Sequence, residues 1–110
     1  MSLTEKKCTP CQGGVEPMNR TEAEGWMDNV PGWELVRDAA ALQRTFKFRN
    51  FAEANTFVDR VGELAESEDH HPDITFGYGY ATIEISTHKI RGLHENDFIF
   101  AAKTNALFGG

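Results

Sequence analysis

Over residues 42–49 apolar and polar side chains alternate. Leu42, Phe46 and Phe48 fall on one side with Arg44, while Gln43, Thr45, Lys47 and Arg49 fall on the other. That period of two predicts a half-buried strand. Residues 33–37 predict a shorter strand with Trp33 and Leu35 on one face, and Asp38-Ala39-Ala40 joins the two as an antiparallel pair. The period then changes. Phe51, Ala54, Phe57, Val58, Val61, Leu64 and Ala65 recur at helical spacing, with Glu53, Asp59, Arg60 and Glu63 on the opposite face. Asn50 and Glu53 supply the capping signature at its start, and Pro72 stops anything helical before it.

Residues 73–78 and 81–87 predict a hairpin around Gly77 and Gly79, with Ala81, Ile83 and Ile85 on one face and Tyr80, Thr82, Glu84 and Ser86 on the other. At the N-terminal end, Thr21 and Glu24 have capping-box spacing for a short helix that Val30-Pro31-Gly32 ends. After Gly92, His94 and Asp97 stand as a cap and its reciprocal partner. Phe98, Ala101, Ala102, Asn105 and Ala106 then give a last helix one apolar stripe. The order is α-β-β-α-β-β-α. It predicts an α+β domain, a four-stranded antiparallel sheet with helices packed on one face. Residues 1–20, with Pro10, Gly13, Gly14 and Pro17 and no periodicity, read as an irregular arm, and residues 21–110 as the domain.

Composition narrows the function classes. The chain has 110 residues, 40% of them hydrophobic and 25% charged, which fits one globular core. A net charge of −6 argues against gripping a phosphate backbone, so no nucleic-acid partner is expected. No apolar run approaches the ~18 residues of a membrane span. The polar first twelve residues do not look like a secretory signal, so the expected location is the cytoplasm. Cys8 and Cys11 form a lone Cys-x-x-Cys before Gly13-Gly14. With no second such pair and no preceding strand, they read first as a reduced pair in the arm, with half a zinc site as the lesser alternative.

Candidate chemistry concentrates in the histidines. Three of the four, His70, His71 and His88, lie within nineteen residues. Imidazole exchanges protons near neutral pH with little tuning. Adjacent residues on a strand point to opposite faces, so His70 and His71 share a site only if the chain turns there. Pro72 keeps His71 out of the helical region. Hairpin pairing brings His88, after the second strand, near the start of the first. Three clustered rings suit proton transfer, but equally a zinc, copper or iron site, or a solvated loop. Glu66, Asp69 and Asp97 could orient rings through the second nitrogen, or simply cap helices. Tyr78 and Trp33 could wall a flat ligand or pack the sheet.

These residues resemble the signature of the pterin-4a-carbinolamine dehydratases. Glu66, His70, His71, Pro72, Tyr78, His88 and Asp97 stand at the family's intervals. Gly32-Trp33, Phe46-x-Phe48, Ala54-x-x-Phe57, Ala65-Glu66, Thr87-His88 and Gly92-Leu93 agree as well, and the resemblance runs over residues 21–107. It implies a hydro-lyase that removes water from 4a-hydroxytetrahydropterin to give quinonoid dihydropterin, recycling the tetrahydropterin cofactor. It further implies His70 and His88 as acid–base pair, His71 as substrate anchor, and Glu66, Asp97, Trp33 and Pro72 around the substrate. No metal and no cofactor are implied, since the pterin is the substrate.

By the same resemblance the protein forms a dimer or tetramer and serves an aromatic amino acid hydroxylase. A non-catalytic binding or dimerisation module on the same fold is the alternative, and a tri-histidine metal site the second. Three positions depart from the family pattern: His94 replaces Thr or Ser as helix cap, Arg91 stands where Gly or Ala is frequent, and Ile74 replaces a Trp of some members. Nothing in the chain points to the transcription-factor partner of mammalian members.

Overall fold

Two hairpins lie side by side, joined through their inner strands, to make one sheet. Strands Glu34–Val36 (β1), Ala41–Lys47 (β2), Asp73–Gly77 (β3) and Tyr80–Ile85 (β4) run in the order β1-β2-β4-β3. Every neighbouring pair is antiparallel: Leu35 opposes Leu42, Leu42 opposes Ile85, and Ile74 opposes Ile83. The structure, a computed structural model, describes residues 3–8 and 16–109. Cys11, Gly13 and Gly14 of the Cys-x-x-Cys arm lie outside the described residues.

Alternation decides which face is covered. Leu42, Phe46, Ala81, Ile83 and Ile85 are buried, while Thr45 and Lys47 are exposed and Thr82 and Glu84 only half-buried. Helices Phe51–Glu68 (α2) and Glu95–Phe108 (α3) cover the apolar face, and the short Arg20–Trp26 (α1) joins them at one end. Phe46 sits at the centre, with ring centroids of Phe57 and Phe108 at 4.7 and 5.0 Å and Trp33 edge-on at 6.1 Å. Burial of one such side chain contributes about 1.5–3 kcal/mol. Arg44 shares this side, as its position in the alternation predicts. Its guanidinium lies 4.3 Å from the Phe46 ring centroid and bonds Asn105 Oδ1 at 2.7 Å, and burial pushes its pKa down.

Two local expectations are corrected. The first helix is capped by Asn19, whose side chain accepts from the Glu22 N–H while Glu22 Oε1 accepts from the Asn19 N–H. The box therefore starts two residues before Thr21, because asparagine caps as well as threonine does and its partner at Glu22 lies in register. In α3 the single stripe is also too narrow a description. Phe98, Ile99, Phe100, Ala101, Ala102, Thr104 and Asn105 are all buried, whereas Ala106 is exposed. The helix lies between the sheet, α2 and the N-terminal segment, so nearly its whole circumference is covered.

α2 follows its pattern, with Ala54, Phe57, Val61 and Ala65 facing the core and the Asn50 side chain accepting from the Glu53 N–H. The Glu53 carboxylate reaches back one residue further than a box requires, to the Arg49 N–H.

Candidate active site

The end of α2 turns the chain so that two adjacent histidines part company. Asp69 takes the left-handed conformation, φ 51°, and its N–H returns to Glu66 O while the His70 N–H returns to Ala65 O. This paired closure usually uses glycine, and aspartate is among the residues that tolerate it. His70 leaves the turn inward, its Nε2 2.7 Å from Asp97 Oδ1 on α3. His71 leaves outward and folds back onto the last turn of its own helix, Nε2 2.5 Å from Glu66 Oε2. Pro72 follows and β3 begins at Asp73, so the His71 backbone is confined between a helix cap and a strand.

β4 ends at Ile85, and the chain then loops back on itself. Thr87 N donates to Gly92 O at 2.9 Å, enclosing a 3-10 turn at His88–Ile90. Arg91 holds the left-handed conformation, φ 53°. Gly92 is needed for close approach, since a Cβ there would stand 2.4 Å from Pro17. His94 caps α3 through imidazole Nδ1, which accepts from the Asn96 N–H at 3.1 Å. An imidazole nitrogen thus stands in for the hydroxyl more usual at this position.

Asp97 is the hub. It is fully buried, and beside His70 it accepts from the Thr87 hydroxyl and the His94 N–H, both at 2.8 Å on Oδ2. A carboxylate accepts only, so opposite it His70 Nε2 is the donor and Nδ1 is the ring nitrogen on the other side. Both sequence readings of Asp97 hold at once: it closes the cap of α3 and it orients a ring.

His70, His71 and His88 line one cavity of about 500 Å³, together with Cys8, Glu68, Asp69, Ser86, Thr87, Lys89 and Asn96. That volume is within the usual range for a small-molecule site, ~300–1,000 Å³. Glu66 and Asp97 stand behind the rings rather than in the wall. Trp33 is not brought to the cavity. It is 6% exposed in the core, and its Nε1–H donates to Asn105 Oδ1 at 2.7 Å. Tyr78 lies at the β3–β4 turn, the end of the hairpin remote from His71 and His88, and is 75% exposed.

Sequence reasoning missed Cys8 and Glu68. The Cys8 N–H donates to Glu68 Oε1 at 2.8 Å, across 60 positions of sequence, and Lys103 Nζ donates to Glu68 Oε2 at 2.8 Å. Burial opposes the Glu68 charge, but the Cys8 N–H and the Lys103 ammonium outweigh it and hold the carboxyl below its ordinary value. The Cys8 thiol is pushed up to about 12, first by burial and then by the neighbouring Glu68 carboxylate. No local pattern announces contacts of such separation. Among the described residues no group of three or more His, Cys, Asp or Glu is placed to hold a metal ion, and no helix is long and apolar enough to cross a membrane.

The profile of the family described as pterin 4 alpha carbinolamine dehydratase matches residues 16–107. A protein of Halorhodospira halophila is 64% identical over 107 residues, 97% of this chain and 98% of its own length. One of Methylococcus capsulatus is 58% identical over 106 residues, 96% and 93%. Both carry the provisional name pterin-4-alpha-carbinolamine dehydratase. The crystal structure of a transcriptional coactivator/pterin dehydratase from Brucella melitensis superposes with a TM-score of 0.79 at 31% identity, covering 86% of this chain and all of the other. A pterin dehydratase-like protein identified as a RuBisCO assembly factor in the alpha-carboxysome gives 0.63 at 29%, covering 72% and 92%. Fold, family profile and relatives agree, and the chain belongs to the pterin 4 alpha carbinolamine dehydratase family.

Proposed function

We propose that the protein dehydrates a 4a-hydroxytetrahydropterin by histidine acid–base catalysis. The observation that carries this reading is the His70–Asp97 pair at 2.7 Å on the wall of a cavity that His71 and His88 also line. Loss of water needs two proton movements. One histidine protonates the C4a hydroxyl as the C4a–O bond breaks and water departs. The other takes the proton from N5, and the electron pair left on N5 forms the C4a=N5 bond. His70 and His88 are assigned these roles. General acid–base catalysis of this kind typically contributes 10²–10⁴ in rate, and Asp97 fixes the His70 ring and favours its cationic form. His71, held by Glu66 and followed by Pro72, is assigned to anchor the pterin by hydrogen bonding.

Through the family resemblance the proposal extends to a cytoplasmic homo-oligomer that returns tetrahydropterin to an aromatic amino acid hydroxylase. The test is direct: a freshly generated 4a-hydroxytetrahydropterin is mixed with purified protein and formation of the quinonoid product is followed by absorbance. Acceleration over the buffer reaction supports the proposal, and the spontaneous rate alone contradicts it.

The likeness to a RuBisCO assembly factor favours a second reading, in which the same fold serves as a binding module without turnover. A scaffold has no use for an oriented, protonatable ring. The buried Asp97–His70 arrangement weighs for the enzyme.

A further inference from the structure

Part of the cavity wall comes from Cys8, at the end of segment 3–8, which precedes the stretch matched by the family profile, residues 16–107. This segment is docked at three points. Leu3 is 8% exposed within the core, Lys6 Nζ pairs with Glu95 Oε2 at 2.6 Å, and Cys8 is held from both sides. Its N–H donates to Glu68 Oε1 at 2.8 Å and its thiol to the Asn96 carbonyl at 3.5 Å. The Lys6–Glu95 pair is solvated and contributes little. The Glu68 contacts are different in kind. Its side chain is 5% exposed and that of its partner Lys103 15%, so the pair sits largely out of water. A charge in that position persists only when its lone pairs are satisfied, and one of the Glu68 partners is the backbone of the N-terminal segment.

We propose that Cys8, held in the wall of the histidine cavity by Glu68 at the end of the docked segment 3–8, limits the size of the substituent carried by the bound ring system. This rests on the pterin reading above. Glu68, itself in the cavity wall, is proposed to act as a positioning residue through Cys8. The surface Cys8 presents is chemically plain. A thiol pushed up to about 12 stays neutral at physiological pH, so it offers an apolar contact to an uncharged ring edge or aliphatic side chain rather than a thiolate to a metal or electrophile.

The test uses the full chain carrying Cys11→Ser, so that Cys8 is the remaining thiol. Alkylation of Cys8 by N-ethylmaleimide is timed with and without saturating 7,8-dihydropterin. KM and kcat are measured for two 4a-hydroxypterins, one with a methyl and one with a three-carbon side chain. Bound pterin is expected to slow alkylation at least about fivefold, and Glu68→Ala to speed it by a similar factor beyond what its lowered thiol pKa, read from the pH dependence of the rate, accounts for. Glu68→Ala should also shift KM for the longer substrate about fivefold relative to the shorter, with kcat moved much less. Alkylation indifferent to a pterin that demonstrably binds would overturn the proposal, and this arm stands even where Glu68→Ala fails to fold. Unaltered discrimination in a folded Glu68→Ala protein would overturn it too. Absence of turnover in the protein with intact Glu68 would instead overturn the reading of the site.

Discussion

Asp97 joins two structures that the sequence presents separately: Oδ1 accepts from the His70 ring at 2.7 Å, and Oδ2 accepts from the His94 N–H at 2.8 Å as the reciprocal half of the α3 cap. The start of α3 is therefore coupled to the orientation of a proposed catalytic ring.

Replacing Asp97 by Asn separates the two roles. With the amide oxygen toward Thr87 and His94, the amide nitrogen faces His70 Nε2, which can accept only if the ring takes the Nδ1–H tautomer, the wrong one for taking a proton at Nδ1. Turnover is expected to fall by about 10² or more. Unfolding in urea should show a loss of about 1 kcal/mol, as charge-assisted bonds to the carboxylate become neutral ones. An Asp97→Asn protein with native kcat would remove the carboxylate from the account.

Arg91 holds the left-handed conformation, φ 53°, in the loop between His88 and the α3 cap. A side chain there carries strain that glycine does not. Arg91→Gly is expected to raise stability by about 0.5–1 kcal/mol once the greater freedom of glycine in the unfolded chain is subtracted. The urea midpoint measures it, and a clear destabilisation would show that the Arg91 side chain contributes more than its backbone costs.

Cys8 gives the stability a dependence on alkaline pH. Its thiol moves from 9.0 in the unfolded reference to about 12 in the fold. The folded state thus favours the protonated form: the contribution is whole below pH 9, where both states are protonated, and is lost as pH rises toward 12. Glu68 acts at the other end. Its carboxyl is held below 4.5, so its contribution is present above that value and declines as pH falls through the lower folded one. Unfolding free energy measured against pH should fall at both ends. Cys8→Ala should flatten the alkaline limb and Glu68→Gln the acid limb; identical profiles would contradict the assignment.

How far the sequence reaches depends on how local the determining contacts are. α2 was legible because its apolar positions repeat over five turns and both ends carry cap chemistry within four residues. The faces of β2 and β4 were legible from strict alternation, and even Arg44 fell on its proper side. α3 was read too narrowly, since a helix covered on nearly all sides loses the contrast that marks a stripe. At the site, the His70–His71 divergence depends on a left-handed Asp69, a conformation more often signalled by glycine. The Trp33 placement was not legible either: a Trp beside a glycine turn gives no sign that its N–H is committed to Asn105, 72 positions away. Cys8 is the plainest case. As part of an aperiodic arm it looks inert, and only its long-range contacts to Glu68 and Asn96 bring it to the cavity.

The central claim is that His70 and His88 move the protons. It is tested most directly by turnover of a 4a-hydroxytetrahydropterin with His70→Ala, His88→Ala and the double variant, each checked for native folding by circular dichroism. Each single change is expected to lower kcat by about 10²-fold or more, with the double variant falling short of the product of the two because the residues act as a unit. Native rates in both single variants would contradict the assignment.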